Sequence, residues 1–421
     1  MRRPFVALAA VLLLAGGLAA LATQRPSGEL GGRGGPQTWT QYQGGPAHNA
    51  VFEGSLRANW LTPLGEKING GLALAGGTLY AVSFDHKLYA LDPASGAIRW
   101  NAATDNILMS TPVIADGIVV VGTGKDGFLK PDDPVSQVWG REQGDDLVAY
   151  TEQGRRLWSF HTAGENMASP AIDGGTLYFA NGGARAYALD LHTGDAGWSV
   201  PLPGIATMAS ATQHAGAIIT SVCHNAPYYC RTIALNERTG EQRWSSPIGG
   251  SDCTPTIDGG LVFVQSSSIG VAPFHTGGRV TVAALDERTG KTRWAKTYPP
   301  APFTYIASSE RQIAGTAVNG VLYQAIGNLA RMVAFDERTG RERWSAHTSG
   351  NVKMSPVVSS GRVYFGDTAG IFYTLDARTG RIVHTGSFLQ PFSVSPPVIY
   401  GKTLFVADGN MVAAMPLDTL Q

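Results

Sequence analysis

The sequence is short of charge, short of cysteine and, past its first two dozen residues, without a long apolar run. Charged side chains make up 15% of 421 residues, and 32 Lys and Arg balance 32 Asp and Glu. No basic excess exists to neutralise phosphates, which excludes nucleic acid and anionic lipid as the main partner. Three cysteines give no C-x-x-C-H haem site and no paired C-x-x-C zinc pattern, and nine histidines are scattered without metal-ligand spacing. No metal site is expected. Walker, H-E-x-x-H, G-x-S-x-G and EF-hand signatures are missing as well. GTGKDG (122–127) has the G-x-G-x-x-G spacing, but Pro131 and Pro134 leave no helix to carry a pyrophosphate. Glycine, by contrast, is abundant at 53 residues, with 24 prolines and 43% apolar residues. This supports a large core, rules out global disorder, and reads as many short strands joined by tight turns.

Arg2 and Arg3 precede an apolar stretch from Phe5 to Ala22 that ends in a small-x-small pattern of the kind export peptidases cut after. Residues 1–22 therefore read as an export signal. An uncleaved signal anchor is the alternative, because 18 apolar residues stand at the lower edge of spanning length. Residues 23–38 are glycine-rich and aperiodic, as a flexible linker is. Either way the folded part, 39–421, is expected outside the cytoplasm, periplasmic or extracellular, meeting a membrane only through that segment. Cys223 and Cys230 bracket a short loop, and an oxidising compartment would let them pair; two reduced, packed thiols are the alternative. Cys253 is left over.

The organising signal is a repeat: ALDPASGAIRW (90–100), AYTEQGRRLWS (149–159), ALDLHTGDAGW (188–198), ALNERTGEQRW (234–244), ALDERTGKTRW (284–294), AFDERTGRERW (334–344) and TLDARTGRIVH (374–384). Its period of roughly 40–58 residues is that of propeller blades. Asp or Asn opens an Asx-turn, Gly supplies the positive φ that closes a bulged hairpin, and Trp fills the gap to the neighbouring sheet. Two alternating strands precede each turn. Before them stands a first strand with Ser/Thr-Pro, as at Thr111-Pro112, Ser169-Pro170, Thr254-Pro255, Ser355-Pro356 and Ser395-Pro396. Proline belongs at a sheet edge, so this strand is expected to line a central channel. First strands near residues 71, 111, 169, 210, 254, 315, 355 and 395 give eight blades, the last lacking its fourth strand. RANWLTP (57–63) is the spare Trp-bearing strand, expected to complete that blade and close the ring. The fold class is all-β: one monomeric eight-bladed propeller of four-stranded antiparallel blades, closed by an N-terminal strand.

The A-x-D-x-x-[ST]-G-x-x-x-W unit resembles the tryptophan-docking motif of the quinoprotein-like (PQQ-type) eight-bladed propellers, and WTQYQGGPAHNAVFEG (39–54) resembles the segment that opens many single-propeller members. The resemblance covers residues 39–416. It implies the fold and leaves function divided, for the family includes pyrroloquinoline-quinone dehydrogenases, outer-membrane assembly lipoproteins and exported proteins that bind no quinone. The dehydrogenases carry a vicinal Cys-Cys pair, and no two cysteines are adjacent here. The nearest echo of their calcium-binding Asn is Asn225. A lipidated cysteine, usual in the assembly lipoproteins, is also missing.

Sites are therefore sought in the loops. All long insertions fall between second and third strands or between blades, and so on one rim: 123–146, 223–230, 265–279 and 295–311. Their tips offer Trp139, Arg141, Tyr228, Tyr229, Phe274, His275, Phe303, Tyr305 and Arg311. Asp132-Asp133 and Asp145-Asp146 read as solvated acidic face rather than calcium ligands. At the channel mouth, the position before the proline is small in every blade, as packing of eight converging strands requires. Two residues earlier, on the same side, stand Asn69, Met109, Met167, Met208, Asp252, Ile313, Lys353 and Ser393. The three methionines read first as gap-fillers, with Cu(I) ligation or an apolar ligand as the alternative. Asp252 and Lys353 are a candidate pair across the rim. The expected function is non-catalytic binding of a protein, peptide or envelope component on the long-loop face, with no cofactor. The alternative is a PQQ-dependent dehydrogenase of alcohols or sugars, with quinone and calcium in the funnel.

Overall fold

Each copy of the repeated unit builds the last hairpin of a sheet, for reasons visible in its own residues. In the first copy the Asp92 carboxylate accepts the N–H groups of Ala94 and Ser95, both at 2.9 Å, and holds Arg99 at 2.7 Å. A register shift between Ala90 and Leu91 makes the bulge, and Gly96 takes φ +73°. The computed structural model describes residues 38–124, 145–206, 208–225, 228–250, 253–267, 279–299 and 313–421. Within them eight sheets are arranged as blades. Blade 1 runs from the inner strand Ala73–Ala75 through Thr78–Ser83 and Lys87–Leu91 to the outer strand Ile98–Ala103. Blade 8 has only Val398–Tyr400, Thr403–Asp408 and Met411–Pro416 from the C-terminal region. Its fourth strand is Trp60–Pro63, antiparallel to the third with Trp60 opposite Ala414. The ring is closed as the spare tryptophan strand required.

The tryptophans join blades. Seven indole N–H groups donate to a backbone carbonyl in the next blade's turn: Trp60 to Pro93, Trp100 to Glu152, Trp158 to Leu191, Trp198 to Glu237, Trp244 to Glu287, Trp294 to Glu337 and Trp344 to Ala377, at 2.7 to 3.0 Å. The ring lies against that turn's glycine, whose missing Cβ makes the approach possible. A Cβ on Gly290 would stand 2.5 Å from Trp244. The eighth joint, from blade 7 to blade 8, carries His384 instead. Blade 8 has no continuous turn between its third and fourth strands, so no docking carbonyl exists there.

The inner edges differ from the expectation of strands bordering an open channel. The prolines sit one residue ahead of the inner strands, as Pro112 does before Val113–Ala115, where no N–H is needed. The strand edges themselves are covered by the leader. The middle N–H of seven inner strands donates to it in chain order: Ile114 to the Trp39 carbonyl, Ile172 to Thr40, Gln213 to the Gln41 side chain, Ile257 to Pro46, Ala317 to Ala47, Val358 to the Asn49 side chain and Ile399 to Ala50, at 2.7 to 3.0 Å. Val51–Phe52 then lies parallel to Val398–Tyr400. Unpaired edge groups inside a protein are costly, and the leader satisfies them blade by blade.

Candidate functional site

The leader gives the channel a floor. Tyr42 projects from the 3-10 turn Tyr42–Gly44, its hydroxyl 3.3 Å from Ser355 Oγ, and burial pushes its pKa up to about 12. His48 meets it edge to face at 5.3 Å. The Thr256 hydroxyl donates to the Gly315 carbonyl at 2.9 Å, so it accepts from His48 Nδ1, also at 2.9 Å. That fixes the neutral tautomer with the proton on Nδ1. Full burial lowers the His48 pKa to about 3, against a weaker opposing effect from the Gly315 backbone.

Above the floor the small residues before the prolines do more than make room. The Gly71 N–H donates to Thr111 Oγ1, Thr111 to Ser169 Oγ, Ser169 to Ser210 Oγ and Ser210 to Thr254 Oγ1, at 2.8 to 3.0 Å. These hydroxyls form a relay across blades 1 to 5. A deeper relay runs from Thr212 to the Pro255 carbonyl, Thr256 to Gly315 and Thr316 to Pro356.

Period two places the wall residues as read. Asn69, Met109, Met167, Met208, Ile313 and Lys353 line one cup over Tyr42 with a cavity volume of about 50 Å³. Met109 and Met167 are buried with Phe84 and Ile107, and the half-buried Met208 packs against them. The Ser393 hydroxyl hydrogen-bonds Asn69 on the opposite wall. The wall is thus two-sided, thioether on blades 2 to 4 and polar on blades 7, 8 and 1. Asp252, Arg311, Trp139, Arg141 and His275 lie outside the described residues, as do Phe274, Phe303, Tyr305 and the Asp132-Asp133 pair, so no Asp252–Lys353 pairing is described.

The rim is represented by one hairpin. Ala217–Asn225 and Tyr228–Asn236 are nine residues each, longer than the second and third strands of any other blade. They run past the blade toward the long-loop face. Asn225 and Tyr228 form the last pair of the ladder, and their side chains fall outside the described set. Cys223 and Cys230 are directly opposed and joined by a disulfide. On the alternate face His224 and Tyr229 stack at 5.2 Å and 6°, and the Arg231 guanidinium stands 5.5 Å over the Tyr229 ring. All three are exposed, Tyr229 by 42%. Cys253 is a buried thiol outside any disulfide, and its sulfur accepts the Gln265 N–H.

A second cavity, of about 190 Å³, was not legible in the sequence. It lies between blades 1 and 2 and is lined by Thr104, Asp105, Asn106, Thr123, Asp146, Arg156 and His161. Asp146 is not a solvated acid here. Its carboxylate meets His161 Nδ1 at 2.9 Å and Arg156 at 3.7 Å, and it is 22% exposed. The one signal the sequence carried is that Asp146 and His161 face each other across the short turn of the second repeat unit, and the long insertion that ends at Asp146 hid it.

The described funnel residues do not fit a tricyclic quinone with calcium. The cup has room for little more than a water or two, and calcium takes 6–8 oxygen ligands. The relay hydroxyls already accept backbone N–H groups, those of Ser393 and Tyr42 are bonded to Asn69 and Ser355, and what remains is three thioethers, with the Lys353 ammonium offering no lone pair to a cation. Among the described residues no group of three or more His, Cys, Asp or Glu side chains is placed to hold a metal ion.

A family model described as outer membrane protein assembly factor BamB matches residues 29–296 and 277–419. The tetrathionate hydrolase of Acidithiobacillus ferrooxidans is 27% identical over 293 residues, 58% of each chain. The chain spans about half the length of the curated relatives it matches. The crystal structure of BamB from Moraxella catarrhalis superposes with a TM-score of 0.62 at 17% identity, covering 85% of this chain and 99% of that one. The quinohemoprotein alcohol dehydrogenase of Comamonas testosteroni gives 0.66 at 14% identity, covering 95% and 83%. At these identities the two structures show the fold alone.

Proposed function

Because the chain belongs to the family described as outer membrane protein assembly factor BamB, we propose that it is an exported, non-catalytic propeller that docks a protein or peptide of the cell envelope on its long-loop face. One observation carries the reading: the hairpin of blade 4 extends to that face and presents His224, Tyr229 and Arg231 as a pre-stacked, exposed row above a disulfide. Tyr and Arg dominate binding hot spots because each offers a large contact with few lost rotamers. Here stacking has already fixed the rotamers and the disulfide restrains the hairpin. Export is supported by the same bond, which persists in oxidising compartments. The floor formed by the leader and the small cup support a surface role over catalysis in the channel.

The test places a photo-crosslinking amino acid at position 229, and at position 259 in a short turn on the opposite face, in cells that express the protein naturally. A discrete protein adduct from 229 and none from 259 is expected, with Arg231→Glu reducing its yield by about 10-fold. Equal adducts from both faces, or none from 229, would overturn the reading. So would quinone-dependent dye reduction by the purified protein supplied with PQQ and calcium.

A further inference from the structure

We propose that the methionine wall of the funnel is a binding site for a soft monovalent cation, Cu(I). The inference goes beyond the docking role and does not depend on it. Three consecutive blades place a methionine at one register position, immediately above the hydroxyl relay, and all three line the same cup. Packing alone does not ask for sulfur there, since blade 6 fills the same position with Ile313. The cup of about 50 Å³ admits an ion and excludes an organic ligand. Thioethers select Cu(I) over hard divalent cations, and methionine's three rotatable bonds let sulfurs on neighbouring strands converge. Met208 is half-buried while Met109 and Met167 are 5% and 4% exposed, so the methionine wall runs from the Phe84–Ile107 cluster out toward solvent. Lys353 lies on the opposite wall, where its charge acts most strongly against divalent ions. Cys253, the other soft atom nearby, is 1% exposed and already accepts a backbone N–H.

The experiment uses the full chain, anaerobic, with Cu(I) held reduced by ascorbate and bicinchoninate as competitor. One equivalent is expected to bind. Met109→Leu/Met167→Leu should weaken it by about 100-fold, the scale on which metal sites respond to lost support, and Cys253→Ser should leave it unchanged. Methyl-labelled methionine and Ag(I), a redox-inert stand-in, give a readout on the unaltered protein. The methyl signals of Met109, Met167 and Met208, assigned with single leucine variants, should shift together, and those of Met332, Met354, Met411 and Met415 should not. No competition with bicinchoninate, shifts confined to the other methionines, or loss of binding in Cys253→Ser would each overturn the proposal. Should the double variant fail to fold, the Ag(I) spectrum of the wild type decides.

Discussion

The outer girdle and the inner lining hold the same eight sheets together by opposite means. The girdle repeats one joint seven times, an indole N–H to a turn carbonyl over a glycine. The lining uses one unrepeated stretch, Trp39 to Phe52, that meets seven of the blades each with a different residue, here a main-chain carbonyl, there a Gln or Asn side chain. Repetition therefore sets the ring, while the departures from it set what the mouth of the ring presents. The stapled hairpin and the blade 1–2 cavity arise where one blade departs from its neighbours, and the thioether wall where three blades share a residue that the other five lack.

The comparison breaks most severely if the lining contributes little to stability, and His48 tests that first. A histidine whose folded pKa is about 3 and whose unfolded pKa is near 6.5 makes the unfolded state bind more protons between those values. Its contribution is fully present above about pH 6.5 and is lost as pH falls toward 3, by roughly 4–5 kcal/mol in all. Glu337 works the other way. Burial, with the nearby Asp258 charge, raises it to about 7, so it adds stability as pH falls from 7 toward its ordinary value. Asp286, held down to about 2 by Thr289 and Arg293, contributes a loss only below its ordinary value near 4. The readout is thus the difference between wild type and His48→Asn in urea-unfolding free energy from pH 7 to 3.5. Asn tolerates the φ of +55° at this position and keeps an N–H donor. A wild-type slope that survives in His48→Asn would show that the leader histidine is not the acid-sensitive group.

The girdle is sampled by Trp244, 7% exposed and docked on Glu287. Trp244→Ala is expected to cost about 3–5 kcal/mol, the range for truncating a large buried aromatic. A loss under about 1 kcal/mol would mean that these joints decorate a ring held together by its lining.

The girdle was legible because every part of it is local: Asp or Asn, Gly and Trp recur at fixed offsets, and each offset has one steric consequence. The methionine wall was legible for a similar reason, since period two fixes which strand residues share a side. The leader's path was not, because its bonds use main-chain groups and scattered side chains that leave no period behind. The relay was half legible. Small residues were evident at positions 111, 169, 210 and 254, but their role as acceptors needs the next blade's geometry. The cavity around Asp146 needs the blade 1–2 connection, Thr104 to Asn106, brought against the Asp146–His161 pair of blade 2, and no spacing encodes that approach.

Glycine substitution sharpens the girdle further. Gly290→Ala combines a positive φ of +69° with a Cβ placed 2.5 Å from Trp244, and should cost about 2–3 kcal/mol. Gly259→Ala meets no atom within 4 Å at φ +55°, so only the backbone term of about 1 kcal/mol remains. Thermal or urea unfolding of the pair measures the docking contact by difference. Equal losses would assign the whole effect to backbone conformation.

The smallest effect is expected at the joint the girdle omits. His384 occupies the tryptophan position of blade 7, opposite Thr374 in the ladder, yet the neighbouring blade is the one closed by Trp60–Pro63 from the other end of the chain. An indole there would find no turn carbonyl to accept its N–H and no glycine to lie against. His384→Trp should therefore change the unfolding free energy by less than about 0.5 kcal/mol, as surface substitutions do. A gain of 1 kcal/mol or more would mean that the joint lacks only its indole, and that ring closure, rather than a missing acceptor, sets where the repeat is allowed to lapse.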